Sequence, residues 1–234
     1  MIKLIKLEWK KNNIAKYMRG AVILAAFLCL FVFALAFLGI ANDPDGTLDA
    51  AEGMGTISAP IELFTSMSFL IFTSVMLASF IVSAYKNKTM NLMFSYPIKR
   101  KNILASQMIA VWLFNFAALV VTKLLIYACV SIGSLSMESS FAIDFNMGSL
   151  SFYIQLLLKS VVIVSMSFIA LFIGMIMKSS KATIIASFIL IFLTQANIGD
   201  FSLAGNLVFP AILTVVSFTF AVLSVFNAET RDLL

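Results

Sequence analysis

Residues 63–85 read LFTSMSFLIFTSVMLASFIVSAY, a run of 23 residues without a charged side chain. About 20 consecutive apolar residues of helix cross the hydrocarbon core of a bilayer, so this run can span a membrane. Residues 20–40 and 201–228 form two more uncharged runs, of 21 and 28 residues. The whole chain is 62% apolar and 12% charged, whereas soluble domains average about 45–50% and about 25%. The sequence therefore predicts an all-α integral membrane protein.

The apolar segments predict six transmembrane helices in a single transmembrane domain that covers residues 1–234. The predicted limits are 20–41, 62–84, 103–127, 155–177, 182–199 and 207–227. The first run is longer than the apolar core of a signal peptide, which has about 7–15 residues, so we expect it to remain in the protein.

The basic residues predict the orientation of these helices. Of the 16 Lys and Arg residues, 14 fall in the N-terminal segment, in two alternate loops and in the C-terminal tail. The remaining loops and adjoining helix ends carry only acidic charges. Lys and Arg mark cytoplasmic loops, so both ends are predicted to be cytoplasmic. Topology and attraction to anionic lipid account for the pI near 9.3, and no nucleic-acid partner is expected.

The N-terminal segment, residues 1–19, has the pattern of an amphipathic helix lying on the membrane. In MIKLIKLEWKK, Lys3, Lys6 and Lys10 recur at helical spacing beside apolar residues and Trp9. A basic stripe beside an apolar surface suits the headgroup boundary, so we predict an interfacial helix here. The alternative is a simple basic flank of the first span.

The loop between the second and third spans has a more specific pattern. In KNKTMNLMFSY, residues 86–96, Asn87 and Asn91 share one helical face, whereas Met90, Met93 and Phe94 line the opposite face. This spacing predicts a short amphipathic helix over 86–97. The proline at position 97 disfavours helix at the residue before it and ends the segment. An ordinary connecting loop does not require two faces, so we expect this helix to contact a partner.

The sequence offers little catalytic chemistry. It contains no histidine, which removes the usual general base and most metal sites. It also has no GxxxxGK[ST] phosphate loop. We therefore predict no catalytic residues, no metal and no cofactor in this chain. If ATP drives the protein, a separate polypeptide must bind and hydrolyse it.

Four polar side chains inside or beside the spans are candidates for a substrate path: Glu62, Lys123, Gln155 and Lys159. Charges within a membrane are costly and usually functional. Two interpretations stay open. The lysines extend to the outer headgroups, or Lys123, Lys159 and Glu62 face an internal polar path or pair with one another.

Residues 85–107, YKNKTMNLMFSYPIKRKNILASQ, resemble the first cytoplasmic loop of ABC-2-type ABC exporter permeases. The matching positions are Thr89, Leu92, Pro97, Ile98, Arg100 and Ile103. The layout of six spans, an interfacial N-terminal helix and cytoplasmic ends is also similar to that family. Two positions depart from its pattern, because Ala84 replaces an acidic residue and Gln107 replaces a lysine.

This resemblance implies a permease subunit in a bacterial cell membrane that pairs with a second permease copy, identical or paralogous. A separate ATP-binding cassette subunit would hold ATP and Mg and dock on the loop, which is then a coupling helix. The implied coupling residues are Lys88, Met90, Asn91, Met93, Phe94, Tyr96, Pro97, Lys99 and Arg100. Bacitracin and lantibiotic self-protection systems and phenol-soluble modulin exporters are the similar members, which implies export of an amphipathic or antimicrobial peptide.

Two other functions remain as alternatives. Ion-coupled secondary transporters usually carry acidic residues or broken helices near the membrane midplane. Here the spans show no acid at that depth, and Pro210 is the one proline expected within a span. The second alternative is a membrane anchor or sensor subunit without a transport role.

Overall fold

The computed structural model describes residues 2–37, 57–86, 100–136, 145–195 and 208–230. Every regular element within these ranges is helical. In chain order the α-helices are α1 Ile2–Lys11, α2 Ile14–Phe37, α3 Ser58–Leu77, α4 Ser83–Lys86, α5 Arg100–Ser136, α6 Leu150–Ile176, α7 Ser180–Gln195 and α8 Val208–Thr230. A π-helical segment, Ala78–Val82, joins α3 to α4. The predicted all-α fold class is therefore confirmed over the part of the chain described.

Four helical stretches are long and apolar enough to cross a membrane: Ile14–Ala36, Ser58–Val82, Lys101–Ser134 and Leu150–Ile176. Two shorter apolar stretches follow, Ser180–Phe192 and Pro210–Phe226. These six stretches follow the order of the six predicted spans. That all six cross the membrane, with both ends inside, remains a prediction.

Helix limits differ most from prediction at α5, which continues to Ser136 instead of ending near residue 127. The predicted limit assumed that the helix ends where it leaves the hydrocarbon core of the bilayer. Residues 128–136 contain no proline to stop it. At about 1.5 Å per residue, its 37 residues extend well beyond the hydrocarbon core unless the helix tilts.

The predicted N-terminal segment, residues 1–19, is divided in the structure. Helix α1 ends at Lys11, and α2 already begins at Ile14. Asn13 has a φ of 49° at the break. Asparagine tolerates this left-handed conformation better than most residues, so it can end one helix and release the chain in a new direction. Lys10 and Lys11 in the last turn of α1 also complement the negative end of its dipole.

Helix α6 lies at the centre of the bundle, packed against α3, α5, α7 and α8. In the apolar window of α3 and the π-helical segment 67% of residues are buried, and in α6 61%, against 17% in α2. Val22, Ile23 and Leu30 of α2 are all exposed. An apolar surface of this kind suits lipid, so α2 forms part of the periphery.

Small polar side chains allow the inner helices to pack closely. Thr65, Thr73 and Ser160 are buried and donate hydrogen bonds to carbonyls four residues earlier in their own helices. Their polarity is thus satisfied without a partner helix.

Helices α6 and α7 form a tight antiparallel hairpin. A Cβ atom at Gly174 would lie 1.8 Å from Thr183 Oγ1, so only glycine fits where the two helices approach. The Ser179 N–H donates to the Gly174 carbonyl at 3.1 Å. Lys178 between them has a φ of 48°, a conformation that costs a lysine more than it would cost glycine.

Candidate functional site

Glu62 and Lys123 form an ion pair inside the helical bundle. The Lys123 ammonium on α5 lies 2.6 Å from Glu62 Oε2 on α3, and the Lys123 side chain is fully buried. An unpaired ammonium in such a place would carry a large desolvation cost. The carboxylate opposite it offsets that cost, so α3 and α5 are bound together by charge as well as by apolar packing.

A group of aromatic residues adjoins this pair through Tyr127. Tyr127 lies one helical turn after Lys123 on α5, and its hydroxyl donates to Glu62 Oε1 at 3.5 Å. The Tyr127 ring packs edge-on against Phe145 and Phe152, with centroids 4.8 and 4.9 Å away. A buried aromatic residue, Tyr127, therefore lies beside the Glu62 carboxylate, where the low local dielectric strengthens the attraction between the paired charges. Sequence reasoning did not identify Tyr127.

Lys159 on α6 adds a second positive charge to the site. It is half-buried and close enough for its charge to act on both Glu62 and Lys123. Gln155, one turn earlier, is exposed. The structure thus brings together three of the four predicted path residues, which we call the charge cluster: Glu62, Lys123 and Lys159.

The structure pairs Lys123 with Glu62. A lysine that reached for the headgroups would expose its ammonium, whereas Lys123 has no exposed surface. Pairing with Glu62 is therefore the arrangement present, and the depth of this pair relative to the headgroups stays a prediction. That the cluster lines a substrate path stays a prediction.

A second polar contact attaches α1 to the beginning of α5. The Gln107 amide donates to Glu8 Oε2 at 3.2 Å, and both side chains are buried. The Trp9 indole donates to the Ala110 carbonyl at 3.1 Å. Asn12 also donates to Glu8 Oε2, at 3.3 Å. Helix α1 is therefore fixed to the protein on this face.

These contacts show that the predicted interfacial helix also has a face that binds the rest of the protein. Lys6, Leu7 and Lys10 on α1 are exposed, as expected for a surface that meets headgroups. Trp9, which the sequence assigned to the lipid boundary, instead bonds to α5. Sequence reasoning missed Glu8, although a lone acid among lysines was a usable signal. It identified Gln107 only as a departure from a family pattern.

The same end of the bundle has two further contacts between helices. The Tyr17 hydroxyl of α2 donates to Ser79 Oγ at 2.8 Å, and its ring packs on Phe80 at 5.1 Å. Ser79 and Phe80 belong to the π-helical segment, a form that often occurs at functional positions. The Lys101 ammonium lies 4.7 Å from the centre of the Phe226 ring, which connects α5 to α8.

The predicted coupling helix lies almost entirely outside the described residues. Lys86 ends α4 and Arg100 begins α5. The other coupling residues that the sequence predicts fall between them, outside the described ranges: Lys88, Met90, Asn91, Met93, Phe94, Tyr96, Pro97 and Lys99.

In the ranges described, no three His, Cys, Asp or Glu residues lie close enough together to hold a metal ion. Cys29 and Cys129 are free thiols that lie partly buried on α2 and α5. They act as packing groups there.

Comparison with known proteins finds one informative similarity. No family model matches the chain, and no solved structure matches it. The chain is 27% identical over 235 aligned residues to "Uncharacterized protein YcbO" of Bacillus subtilis (strain 168). The alignment covers 98% of this chain and 99% of the relative. The two proteins are thus similar from end to end, and the relative's name states no activity.

Proposed function

We propose that this chain is the permease subunit of an ATP-driven ABC exporter in a bacterial cell membrane. In this proposal six helices cross the membrane, both ends are cytoplasmic, and a second permease copy completes the pathway. A separate ATP-binding cassette subunit docks on residues 88–100 and carries ATP and Mg. The cargo is an amphipathic peptide or a similar hydrophobic molecule.

The position of the coupling loop carries this proposal. Residues 87–99 connect α4, which continues α3, to α5. At the opposite end of these helices, Glu62 and Lys123 bind α3 to α5 through a 2.6 Å ion pair. A loop placed on two helices that are joined in this way can pass a displacement into the bundle as one unit. The resemblance of residues 85–107 to ABC-2 coupling segments supports the same function.

Buried charge between the spans is also typical of ion-coupled carriers. A secondary transporter is therefore the second candidate, and the observation that favours it is the Glu62 carboxylate among the helices. The two functions differ in their need for ATP. Transport that continues in vesicles without ATP would favour the carrier.

Affinity purification from native membranes tests the permease function. We expect the tagged chain to retain an ATP-binding cassette subunit, and ATP hydrolysis to require that subunit. A variant with Met90→Ala and Phe94→Ala should lose it, because buried Met and aromatic side chains carry much of the energy of interfaces. A loss of about 1–3 kcal/mol weakens binding by about 5- to 150-fold.

Phe141→Ala is the matched control, since this phenylalanine lies on the side predicted to be extracellular. It should leave the complex intact. If the double variant retains the cassette subunit as well as the parent does, the loop is not the docking site. If no cassette subunit is found, or the isolated chain hydrolyses ATP, the division of labour is wrong.

A further inference from the structure

The one acidic residue of the N-terminal helices is turned away from the surface. Among residues 2–37 Glu8 is the only acid, and every other charge is basic. The Glu8 side chain is buried, and its Oε2 accepts hydrogen bonds from the Gln107 and Asn12 amides at 3.2 and 3.3 Å. These amides compensate the carboxylate for its lost hydration. The charges left on the surface of α1 are therefore basic.

The contact with α5 also decides which side of α1 is exposed. Glu8 and Trp9 bond to the Gln107 amide and to a backbone carbonyl of α5. Lys6 and Lys10 each stand two positions from Glu8, which places them about 160° around the helix from it. Both lysines are exposed. Since they are four residues apart, they lie one turn apart on one side, which we call the basic face.

The basic residues continue to the edge of an apolar surface on α2. Lys16 and Arg19, at the beginning of α2, are exposed. Val22 and Ile23 follow within about one turn and are 63% and 70% exposed. Such a surface suits acyl chains, whereas the cationic groups before it suit the headgroup level. Two residues separate α1 from α2, so the end of α1 lies close to the same level.

An anionic phospholipid matches both features. Its phosphodiester can accept charge-assisted hydrogen bonds from ammonium groups, and its acyl chains suit apolar side chains such as Leu7, which is 62% exposed one turn before Lys10. An acidic protein would complement the lysines but not the apolar surface that begins beside Arg19.

We propose that the basic face of α1 binds the headgroup of an anionic phospholipid and selects it over a zwitterionic one. The contacts of Glu8 and Trp9 hold α1 on α5 in one orientation, so Lys6 and Lys10 are presented together before the lipid arrives. General attraction between basic loops and an anionic membrane would not distinguish this face from other exposed lysines. A site predicts that it does.

Native mass spectrometry of the purified chain tests the proposal. The chain in detergent is titrated with phosphatidylglycerol and, separately, with phosphatidylcholine that has the same acyl chains. We expect the first phosphatidylglycerol to bind about 30-fold more tightly, because each lysine near an anionic headgroup contributes about 1 kcal/mol. The double variant with Lys6→Gln and Lys10→Gln should lose this preference and leave the affinity for phosphatidylcholine unchanged.

Two further double variants serve as controls. Lys178→Gln with Lys181→Gln removes the same charge from two exposed positions where α6 meets α7, and it should change the affinity for phosphatidylglycerol by less than about twofold. Lys6→Arg with Lys10→Arg retains the charge and should keep the preference. Thermal unfolding of each variant verifies that it is folded.

Equal affinity of the parent chain for the two lipids would overturn the proposal. Equal losses in the two Lys→Gln double variants would also overturn it, because they would show general attraction without a site. If the Lys6→Gln, Lys10→Gln variant keeps its lipid preference but loses a co-purified protein, the basic face docks that protein and the lipid proposal is wrong. Lipid binding to the isolated chain needs no cassette subunit, so this proposal and the proposed function fail independently.

Discussion

Replacing Lys123 with methionine tests whether the buried ion pair stabilises the bundle. At 2.6 Å two unit charges attract by about 6 kcal/mol if the effective dielectric constant is about 20. Burial of the two ions costs several kcal/mol each, so the intact pair contributes little net stability. Removing one partner leaves the other charge buried and uncompensated, at a cost of about 3–5 kcal/mol.

The structure predicts that the two single variants differ. In Lys123→Met, the remaining carboxylate of Glu62 is 21% exposed and still feels the charge of Lys159. We therefore expect a smaller loss of about 2–3 kcal/mol. In Glu62→Gln, both lysines lose their acid and Lys123 has no access to water. A loss of about 3–5 kcal/mol is expected there. The double variant buries neither of the paired charges, and should be less destabilised than either single one.

Unfolding in detergent measures these differences, either by thermal shift or by circular dichroism in increasing dodecyl sulfate. For a chain of this size each kcal/mol shifts Tm by about 2–4 °C, so Glu62→Gln should lower Tm by about 10 °C. Lys181→Met, at an exposed position on α7, is the control and should change little. If Lys123→Met matches this control, or if the losses in the double variant equal the sum of the single ones, the pair does not couple α3 to α5.

Three further predictions address topology and packing. In a cysteine-free background, Gly46→Cys should react with an impermeant thiol reagent from outside intact cells, and Ser179→Cys only after permeabilisation; external labelling of the latter would contradict six spans. Gly174→Ala places a Cβ atom 1.8 Å from Thr183 Oγ1 and should cost about 1–3 kcal/mol in unfolding free energy, which a second substitution, Thr183→Ala, should partly restore. Glu8→Ala should cost about 1–3 kcal/mol, because it leaves a buried amide without its acceptor; a variant as stable as the parent in a thermal shift assay would show that α1 is not fixed in this way.

Much of the helical layout followed from local properties of the sequence. The uncharged run at residues 63–85 lies within a continuous helical stretch, Ser58–Lys86, which is α-helical except in the π-helical segment. Helix limits were less predictable where no residue stops the chain, as at the end of α5. The break at Asn13 was missed because lysines and apolar residues continue across it at helical spacing. The left-handed φ of one asparagine ended the helix there.

The charged members of the candidate site were visible in the sequence because any charge in an apolar run is unusual. Their arrangement was not. Glu62 and Lys123 lie 61 positions apart, and Glu8 and Gln107 lie 99 apart. Such contacts depend on the order, rotation and crossing of helices, which hydropathy does not record. Tyr127 was missed for the same reason, since an aromatic residue in a span looks like any other packing residue until a carboxylate lies beside it.

The sequence by itself determined that the chain is helical and suited to a membrane, because apolar run length and charge are local quantities compared with a bilayer of fixed thickness. Tertiary structure alone decided that Lys123 is buried against Glu62. The sequence allowed either headgroup contact or pairing, and only helix packing fixes which charges meet. The physical reason is that the energy of a buried charge depends on what lies within a few ångströms of it, and those neighbours come from distant parts of the chain.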